Sequence, residues 1–269
     1  MSRIAATFER LRAQRRTGLV AYVTTGYPDL AATPGLVRAM VAGGADLIEL
    51  GVPFSDPLAD GATIQRATHT AVMGGVTLAD VIAVCRTLRG AGLETPLVAM
   101  TYINPILAYG LERFAADAAE AGLDGVIPVD VPPEEAGPLK AALTAHGMDV
   151  ISMLAPTSTD ERIRKVAAQA SGFIYCVSVA GTTGARGALP ADLPDFIARV
   201  RRHTDLPLAV GFGVSRPEHI AQIGTMCEAA VIGSAIIDTI EQAPPDQREA
   251  RLRAYIEAVT GRSAEALGR

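Results

Sequence analysis

Eight short apolar segments alternate with helical segments along this chain, and the alternation predicts an α/β fold, a (β/α)8 barrel. The chain has 269 residues, of which 49% are hydrophobic, so it can bury the large core that such a barrel needs. No linker-like change of composition interrupts the alternation. We therefore expect a single domain over residues 1–269, with extra helices added to the basic barrel.

The first of these additions is predicted at the N-terminus, in residues 1–18. This segment is rich in arginine and carries Ile4, Phe8 and Leu11 at helical spacing, a pattern that a transit peptide can also have. Glu9 and the early start of the first strand argue against a transit peptide. The pattern favours an amphipathic helix that covers one end of the fold.

The remaining elements follow in order. The predicted strands are 19–24, 46–50, 96–101, 125–129, 150–154, 173–178, 208–210 and 229–232. Helices are predicted at 30–42, 62–73, 78–89, 134–146, 160–170, 194–202, 235–241 and 246–259, and one more helix is predicted to end at about residue 121. Many of these helices end at glycine. In a barrel of this type the active site lies at the carboxyl ends of the strands, so the loops there are the places to search for function.

The stretch 47–61, LIELGVPFSDPLADG, is the most informative of these strand ends. Side chains alternate along a strand, so Ile48 and Leu50 share one face and Glu49 points to the other. A carboxylate aimed into a barrel is costly unless it is paired, hydrogen-bonded or held neutral by a raised pKa. This cost makes Glu49 a candidate catalytic residue.

Two further acids, Asp56 and Asp60, lie in the loop that follows. Two carboxylates in unlike surroundings can divide acid and base duties, which makes Asp60 a candidate partner of Glu49. The spacing alone is equally consistent with Asp60 as the N-cap of the helix 62–73.

Glycines after the sixth, seventh and eighth strands predict a phosphate site formed by backbone amides, since barrels often hold phosphate there at a helix N-terminus. The candidate residues are Gly184, Gly213, Gly233 and Ser234. Each alone is more often a turn or a helix cap. The glycine-rich loop 179–190 is also predicted to be mobile in the free protein and to become ordered when ligands bind.

Composition argues against several other classes of function. The net charge is -5 and acids and bases are interspersed, so neither nucleic acid nor an anionic membrane is an expected partner. Three separated cysteines and four histidines without ligand spacing predict neither a disulfide framework nor a metal site. The three cysteines fit core positions in a reduced cytoplasm, so we expect a cytoplasmic protein. No apolar run reaches membrane-spanning length, so no membrane span is expected.

The chain contains, in this order, the segments TGYPD, ELGVPFSDPLADG followed by IQRA, GTTGARG, GFGVS and GSAII. These segments resemble the tryptophan synthase alpha subunit family, and the resemblance covers nearly the whole chain. The resemblance implies retro-aldol cleavage of indole-3-glycerol phosphate to indole and glyceraldehyde 3-phosphate. Glu49 would then move the protons, and ionised Asp60 would accept a hydrogen bond from the indole nitrogen.

The resemblance also implies a pocket, a partner and cofactor use. From the residues alone, most apolar strand residues are plain core, but the family pattern assigns Tyr22, Met100, Tyr175 and Phe212 to an indole pocket. It implies an alpha2-beta2 heterotetramer with a beta subunit that uses pyridoxal phosphate and receives the indole, with no cofactor in this chain. The residues expected on the rim that meets this partner are Phe54, Asp56, Tyr102, Asn104, Asp130 and Pro132. Because Val179 and Ala180 stand where some family members carry Arg and Ser, we assign phosphate binding to backbone amides.

Two alternatives remain open from the sequence. Another phosphate-binding barrel lyase or isomerase would need a metal cluster or a Schiff-base lysine, but Lys140 and Lys165 are the only lysines and both fall on predicted helices. The chain could instead be an inert barrel subunit that only activates or scaffolds a partner enzyme. The presence of both Glu49 and Asp60 argues against that alternative.

Overall fold

The computed structural model describes residues 2–177, 189–211 and 213–262. Its strands are β1 (Gly18–Thr24), β2 (Leu47–Gly51), β3 (Leu97–Thr101), β4 (Gly125–Pro128), β5 (Asp149–Val150), β6 (Ser152–Leu154), β7 (Ile174–Val177), β8 (Leu208–Gly211) and β9 (Ala229–Ile232). All pair in parallel, in the order β5-β4-β3-β2-β1-β9-β8-β7-β6. The two ends of this order, β5 and β6, are joined through Ile151, whose N–H donates to the carbonyl of Val126 at 2.9 Å. They are two pieces of the fifth predicted strand, so the sheet is an all but closed (β/α)8 barrel.

Twelve α-helices lie in the described ranges. They are α1 (Arg3–Ala13), α2 (Thr33–Ala42), α3 (Ala62–Met73), α4 (Leu78–Gly90), α5 (Ile103–Tyr109), α6 (Leu111–Glu120), α7 (Gly137–Ala145), α8 (Asp160–Gln169), α9 (Leu193–Arg201), α10 (Pro217–Ile223), α11 (Ser234–Gln242) and α12 (Arg248–Thr260). A short 3-10 helix, Pro245–Gln247, precedes α12. Helices α5 and α10 were not predicted from the sequence.

Strand side chains form two separate cores because they alternate between the two faces of the barrel wall. Ile48, Leu50 and their equivalents pack outward against the surrounding helices. Leu47, Val98, Ile127 and their equivalents point inward and form a second apolar cluster. Glu49 belongs to this inward set by position, as the alternation predicts.

The predicted amphipathic helix α1 closes the amino end of the barrel. Ile4, Phe8 and Leu11 are buried in the same cluster as the inward strand residues, and the ring centroids of Phe8 and Phe173 are 5.6 Å apart. Full burial of such side chains contributes about 1.5–3 kcal/mol each. Helix α1 therefore fills the amino end of the barrel with apolar side chains.

Acidic residues directly before three strands connect neighbouring strands at the amino end of the barrel. Asp46, Asp124 and Glu228 each accept a backbone N–H from the first or second residue of the neighbouring strand, at 2.8–2.9 Å. Each also pairs with at least one arginine, at 2.6–2.9 Å. Asp46 is shared by Arg16 and Arg262, which come from opposite ends of the described chain.

Within the described residues, no single helix is long and apolar enough to span a membrane. Helices α3 and α4 meet that criterion only when taken together, and they are bent by 96° at the break between them.

Candidate active site

Glu49 lies on the inward face of β2, in the middle of the strand. It is only 1% exposed, and neither carboxyl oxygen has a hydrogen-bond partner among the described residues. Because burial disfavours the charged form, the pKa of Glu49 is raised to about 8. At pH 7 the side chain is therefore mostly protonated, so it can donate a proton.

Asp60 lies in the loop that follows β2. The N-cap of α3 is Gly61, so the alternative in which Asp60 caps that helix is wrong. Burial raises the pKa of Asp60 to about 6, against the lowering effect of a hydrogen bond from the Tyr102 hydroxyl. At neutral pH Asp60 is mostly ionised while Glu49 is mostly neutral, so the two acids differ in charge as acid and base duties require.

Both acids line one pocket at the carboxyl end of the barrel. The pocket is also lined by six residues that the sequence singled out: Tyr22, Met100, Tyr175, Gly213, Gly233 and Ser234. The predicted apolar and phosphate-binding groups therefore share a cavity with the two carboxyl groups.

Four lining residues were not predicted: Ile64, Val214, Val231 and Ala235. Val231 could have been found, because strand alternation places it on the inward face of β9. Ala235 could have been found as the neighbour of Ser234. Ile64 could have been found from helical periodicity, because it shares the buried face of α3 with Ala67, Thr68 and Ala71. Val214 lies beyond the end of β8, where no periodicity indicates the direction of a side chain.

Two backbone turns form the side of the pocket where the sequence predicts phosphate binding. Gly213 follows β8 with a φ of 81°, a conformation that favours glycine. Ser234 is the first residue of α11, directly after Gly233. The N–H groups in the first turn of a helix have no partner within the helix, and the helix dipole adds positive potential there. This part of the pocket is suited to an anion.

Two tyrosines form opposite parts of the wall. Tyr22 comes from β1 and Tyr175 from β7, and both side chains are buried. Burial raises the pKa of each phenol, so both remain neutral at physiological pH. They supply ring surface for an aromatic ligand.

The six residues predicted for the partner-facing rim follow β2, β3 and β4, three neighbouring strands. Asp56, Asn104 and Asp130 are exposed, and Phe54 and Pro132 are partly exposed. Tyr102 differs, since it is 7% exposed and points toward the Asp60 loop. Its side chain contacts Asp60 and the backbone of Ala59, and it offers little surface to a partner.

Several sequence predictions lie outside the described residues. These are Phe212 of the indole pocket, Gly184 of the phosphate site, and the behaviour of the glycine-rich loop, which falls almost entirely in residues 178–188. Among the residues that are described, no three His, Cys, Asp or Glu side chains are grouped so that they could hold a metal ion.

Comparison with known proteins decides the family. The model of the family described as "Tryptophan synthase alpha chain" matches residues 8–266. The chain belongs to the tryptophan synthase alpha chain family. Similar proteins include the tryptophan synthase alpha chain of Roseiflexus sp. (strain RS-1), 53% identical over 97% of this chain and 100% of the relative. That of Chloroflexus aurantiacus is 52% identical over 95% of this chain and 96% of the relative.

Solved structures of the tryptophan synthase family agree with the fold. Tryptophan synthase subunit alpha from Legionella pneumophila superposes with a TM-score of 0.90 at 36% identity, covering 97% of this chain and 98% of that one. A chain of Mycobacterium tuberculosis tryptophan synthase gives 0.89 at 39% identity, covering 97% of both chains. Membership of the tryptophan synthase alpha chain family makes this chain a lyase-type enzyme subunit of tryptophan biosynthesis and implies a complex with a beta subunit.

Proposed function

We propose that this chain cleaves indole-3-glycerol phosphate to indole and glyceraldehyde 3-phosphate by a retro-aldol reaction. The observation that carries the proposal is the pairing of a neutral Glu49 with an ionised Asp60 in one pocket. The same pocket offers ring surface and an anion site, which match the aromatic and phosphate ends of this substrate.

Glu49 acts on the bond that breaks. Its proton goes to the indole ring carbon that bears the glycerol chain, and the ring becomes an iminium that can accept the bond electrons. The Glu49 carboxylate then removes the proton from the adjacent glycerol hydroxyl. The carbon–carbon bond breaks, an aldehyde forms, the aromatic ring is restored, and Glu49 ends protonated as it began.

Asp60 stabilises the charge that develops on the ring. The iminium carries positive charge on the indole nitrogen, and an ionised carboxylate that accepts the N–H hydrogen bond lowers the energy of that state. Tyr102 favours this role because its hydrogen bond lowers the pKa of Asp60 against the effect of burial. No cofactor of this chain takes part in the proposed reaction.

The phosphate end of the substrate binds at Gly213, Gly233 and Ser234. Backbone N–H groups in this region and the positive end of the α11 dipole would hold the anion without a charged side chain. A mostly neutral Glu49 is favourable here, because a second negative charge in the pocket would oppose phosphate binding.

The proposed partner is the beta subunit of tryptophan synthase in an alpha2-beta2 assembly, where pyridoxal phosphate belongs to the beta subunit. The exposed rim after β2, β3 and β4 would face this partner, and it includes Leu58, which is 88% exposed. Indole formed in the pocket would pass to the beta subunit through this end of the barrel. A cytoplasmic location remains a prediction.

The test is cleavage of indole-3-glycerol phosphate by the isolated chain and by its mixture with a beta subunit. We expect Glu49→Gln to lower kcat by about 10⁴-fold or more, because glutamine keeps the shape of the side chain but cannot exchange a proton, and Glu49 serves two proton transfers. The variant should stay folded and should still bind the beta subunit. Glu112→Gln, at an exposed carboxylate on α6, is the control and should leave kcat unchanged. Equal rates for wild type and Glu49→Gln would exclude this mechanism, and an inactive wild-type chain that still activates the beta subunit would favour the inert barrel.

A further inference from the structure

The ring of Tyr22 lies across a glycine of the neighbouring strand. Tyr22 on β1 is in register with Glu49 on β2, and Thr24 is in register with Gly51. A Cβ atom at Gly51 would lie 2.2 Å from the Tyr22 hydroxyl oxygen, 2.6 Å from Cζ and 2.8 Å from Cε2. These distances are too short for any pair of heavy atoms in contact, so the tyrosine ring occupies the space that a side chain at position 51 would need.

Gly51 is not required by the backbone. It lies in the regular strand β2 and is not among the glycines with positive φ. Alanine could therefore adopt the same backbone conformation, and glycine also costs more conformational entropy in a strand than alanine does. The feature of Gly51 that matters here is the space it leaves for Tyr22.

Thr24 holds the far end of the same ring. The hydroxyl groups of Thr24 and Tyr22 are 3.1 Å apart, and Thr24 is completely buried. On the other side, a Cβ atom at Gly233 would be 3.5 Å from Cβ and Cδ1 of Tyr22, which is ordinary contact. Tyr22 is thus held against β2 by Gly51 and Thr24 and has no comparable close approach on the side of the phosphate turn.

The same arrangement occurs on the other wall of the pocket. Tyr175 on β7 is in register with Ala209 on β8, and Gly211 stands two residues further along. A Cβ atom at Gly211 would lie 2.2 Å from the Tyr175 hydroxyl oxygen. In both pairs the tyrosine ring covers the glycine that lies two residues beyond the register partner of the tyrosine. The two walls of the pocket therefore have the same tyrosine–glycine packing.

We propose that Gly51 and Thr24 are positioning residues that set the size of the apolar end of the pocket by holding Tyr22 against β2. The inference rests on the proposed function, because the space kept open is the space that the indole ring would fill. Neither Gly51 nor Thr24 lines the pocket, so both act through the position of Tyr22.

The experiment compares binding of two probes to the full-length protein. An uncleavable alkyl phosphate that carries an indole ring reports on both ends of the pocket, and glycerol 3-phosphate reports on the phosphate end alone. In Gly51→Ala the displaced Tyr22 ring should raise the Kd of the indole probe about tenfold or more. The Kd of glycerol 3-phosphate should change less than about threefold. Gly137→Ala on α7 is the control, since a Cβ there meets nothing within 4 Å, and both Kd values should stay unchanged.

A rescue experiment separates the ring displacement from general damage. Leucine lacks the atoms of Tyr22 that approach Gly51, so Gly51→Ala should cost little indole-probe affinity when it is added to Tyr22→Leu. Thr24→Val, which removes the hydroxyl at similar shape, should weaken the indole probe in the same direction by a smaller factor, and it provides a test if Gly51→Ala does not fold.

Three outcomes would overturn the inference: equal loss for both probes in Gly51→Ala, the same cost of Gly51→Ala in the Tyr22→Leu background, or unaltered indole-probe binding in Thr24→Val. Failure of the proposed function would look different. Wild type would then not cleave indole-3-glycerol phosphate, whatever the variants bind.

Discussion

The hydroxyl of Tyr102 joins the end of β3 to the acidic loop after β2. It donates to Asp60 Oδ2 at 3.5 Å and accepts the backbone N–H of Ala59 at 2.8 Å. One phenol therefore contacts both the candidate catalytic carboxylate and the backbone beside it. Its ring also packs against Phe54, with centroids 5.1 Å apart, so Tyr102 connects the partly exposed Phe54 to the candidate catalytic carboxylate.

Tyr102→Phe should raise the pKa of Asp60. The hydrogen bond stabilises the ionised carboxylate, so its loss leaves burial unopposed and moves the acid limb of the kcat/KM profile to higher pH. Tyr109→Phe is the matched control, because the Tyr109 hydroxyl bonds Asp117 outside the pocket, and it should leave the limb in place. A Tyr102→Phe limb at the wild-type pH or below it would contradict this account.

The wild-type pH profile should be bell-shaped. The mechanism needs Asp60 ionised and Glu49 protonated, so kcat/KM should fall below about pH 6 and above about pH 8. The measurement is the initial rate of indole-3-glycerol phosphate cleavage at low substrate concentration across this range. In Asp60→Asn the remaining activity should lack the acid limb. An activity that keeps rising above pH 8 would mean that Glu49 does not act first as an acid.

Glu49→Gln should change stability in a pH-dependent way. The native carboxyl has a pKa of about 8 against an ordinary value of 4.5, so between these values the native state holds a proton that the unfolded state has lost. The free energy of unfolding of the wild type therefore falls as pH rises through this window, and the penalty is complete above about pH 8. Glutamine has no such penalty. Near pH 4.5 the two proteins should be similar in stability, and near pH 9 the variant should be more stable, by up to a few kcal/mol.

Urea unfolding at both ends of this pH window measures the effect. Glu112→Gln, at an exposed site, should follow the wild type at every pH. If the difference between wild type and Glu49→Gln were the same at both pH values, the carboxyl would not have a raised pKa in the native state.

Ser234→Asp should weaken substrate binding. It places a negative charge at the N-terminus of α11, where the phosphate is proposed to bind, so KM for indole-3-glycerol phosphate should rise by about tenfold or more. Gln242→Asp adds the same charge at the exposed carboxyl end of the same helix and should leave KM nearly unchanged. Equal KM values for the two variants would move the phosphate site away from α11.

Much of this architecture follows from the sequence because strand alternation is a simple pattern. The inward direction of Glu49 needed only the apolar neighbours Ile48 and Leu50 on the other face. The contact between Asp60 and Tyr102 could not be predicted from strand alternation. The two residues are 42 positions apart and lie in the loops of different strands, so their meeting depends on the curvature of the barrel.

The two helices that were not predicted, α5 and α10, each carry a proline in the first turn. Asn104-Pro105 is typical of a turn, but Pro105 lies in the first turn of α5, where its missing N–H would have had no partner. Pro217 is the first residue of α10, a position that proline favours. Each helix has only seven residues, too few to give a clear helical period.

The carboxylate of Asp46 brings distant parts of the chain together on the face opposite the pocket. Arg16 and Arg262 both bind it, and Arg262 also donates to the carbonyls of Thr17 and Gly44. Asp46 directly precedes β2, so the length of that strand, about five residues or roughly 16 Å, separates this junction from the carboxyl end of β2. A pair of fluorescent labels near Arg16 and Arg262 would therefore report unfolding of the whole barrel from a face that neither the substrate nor the proposed partner needs to reach.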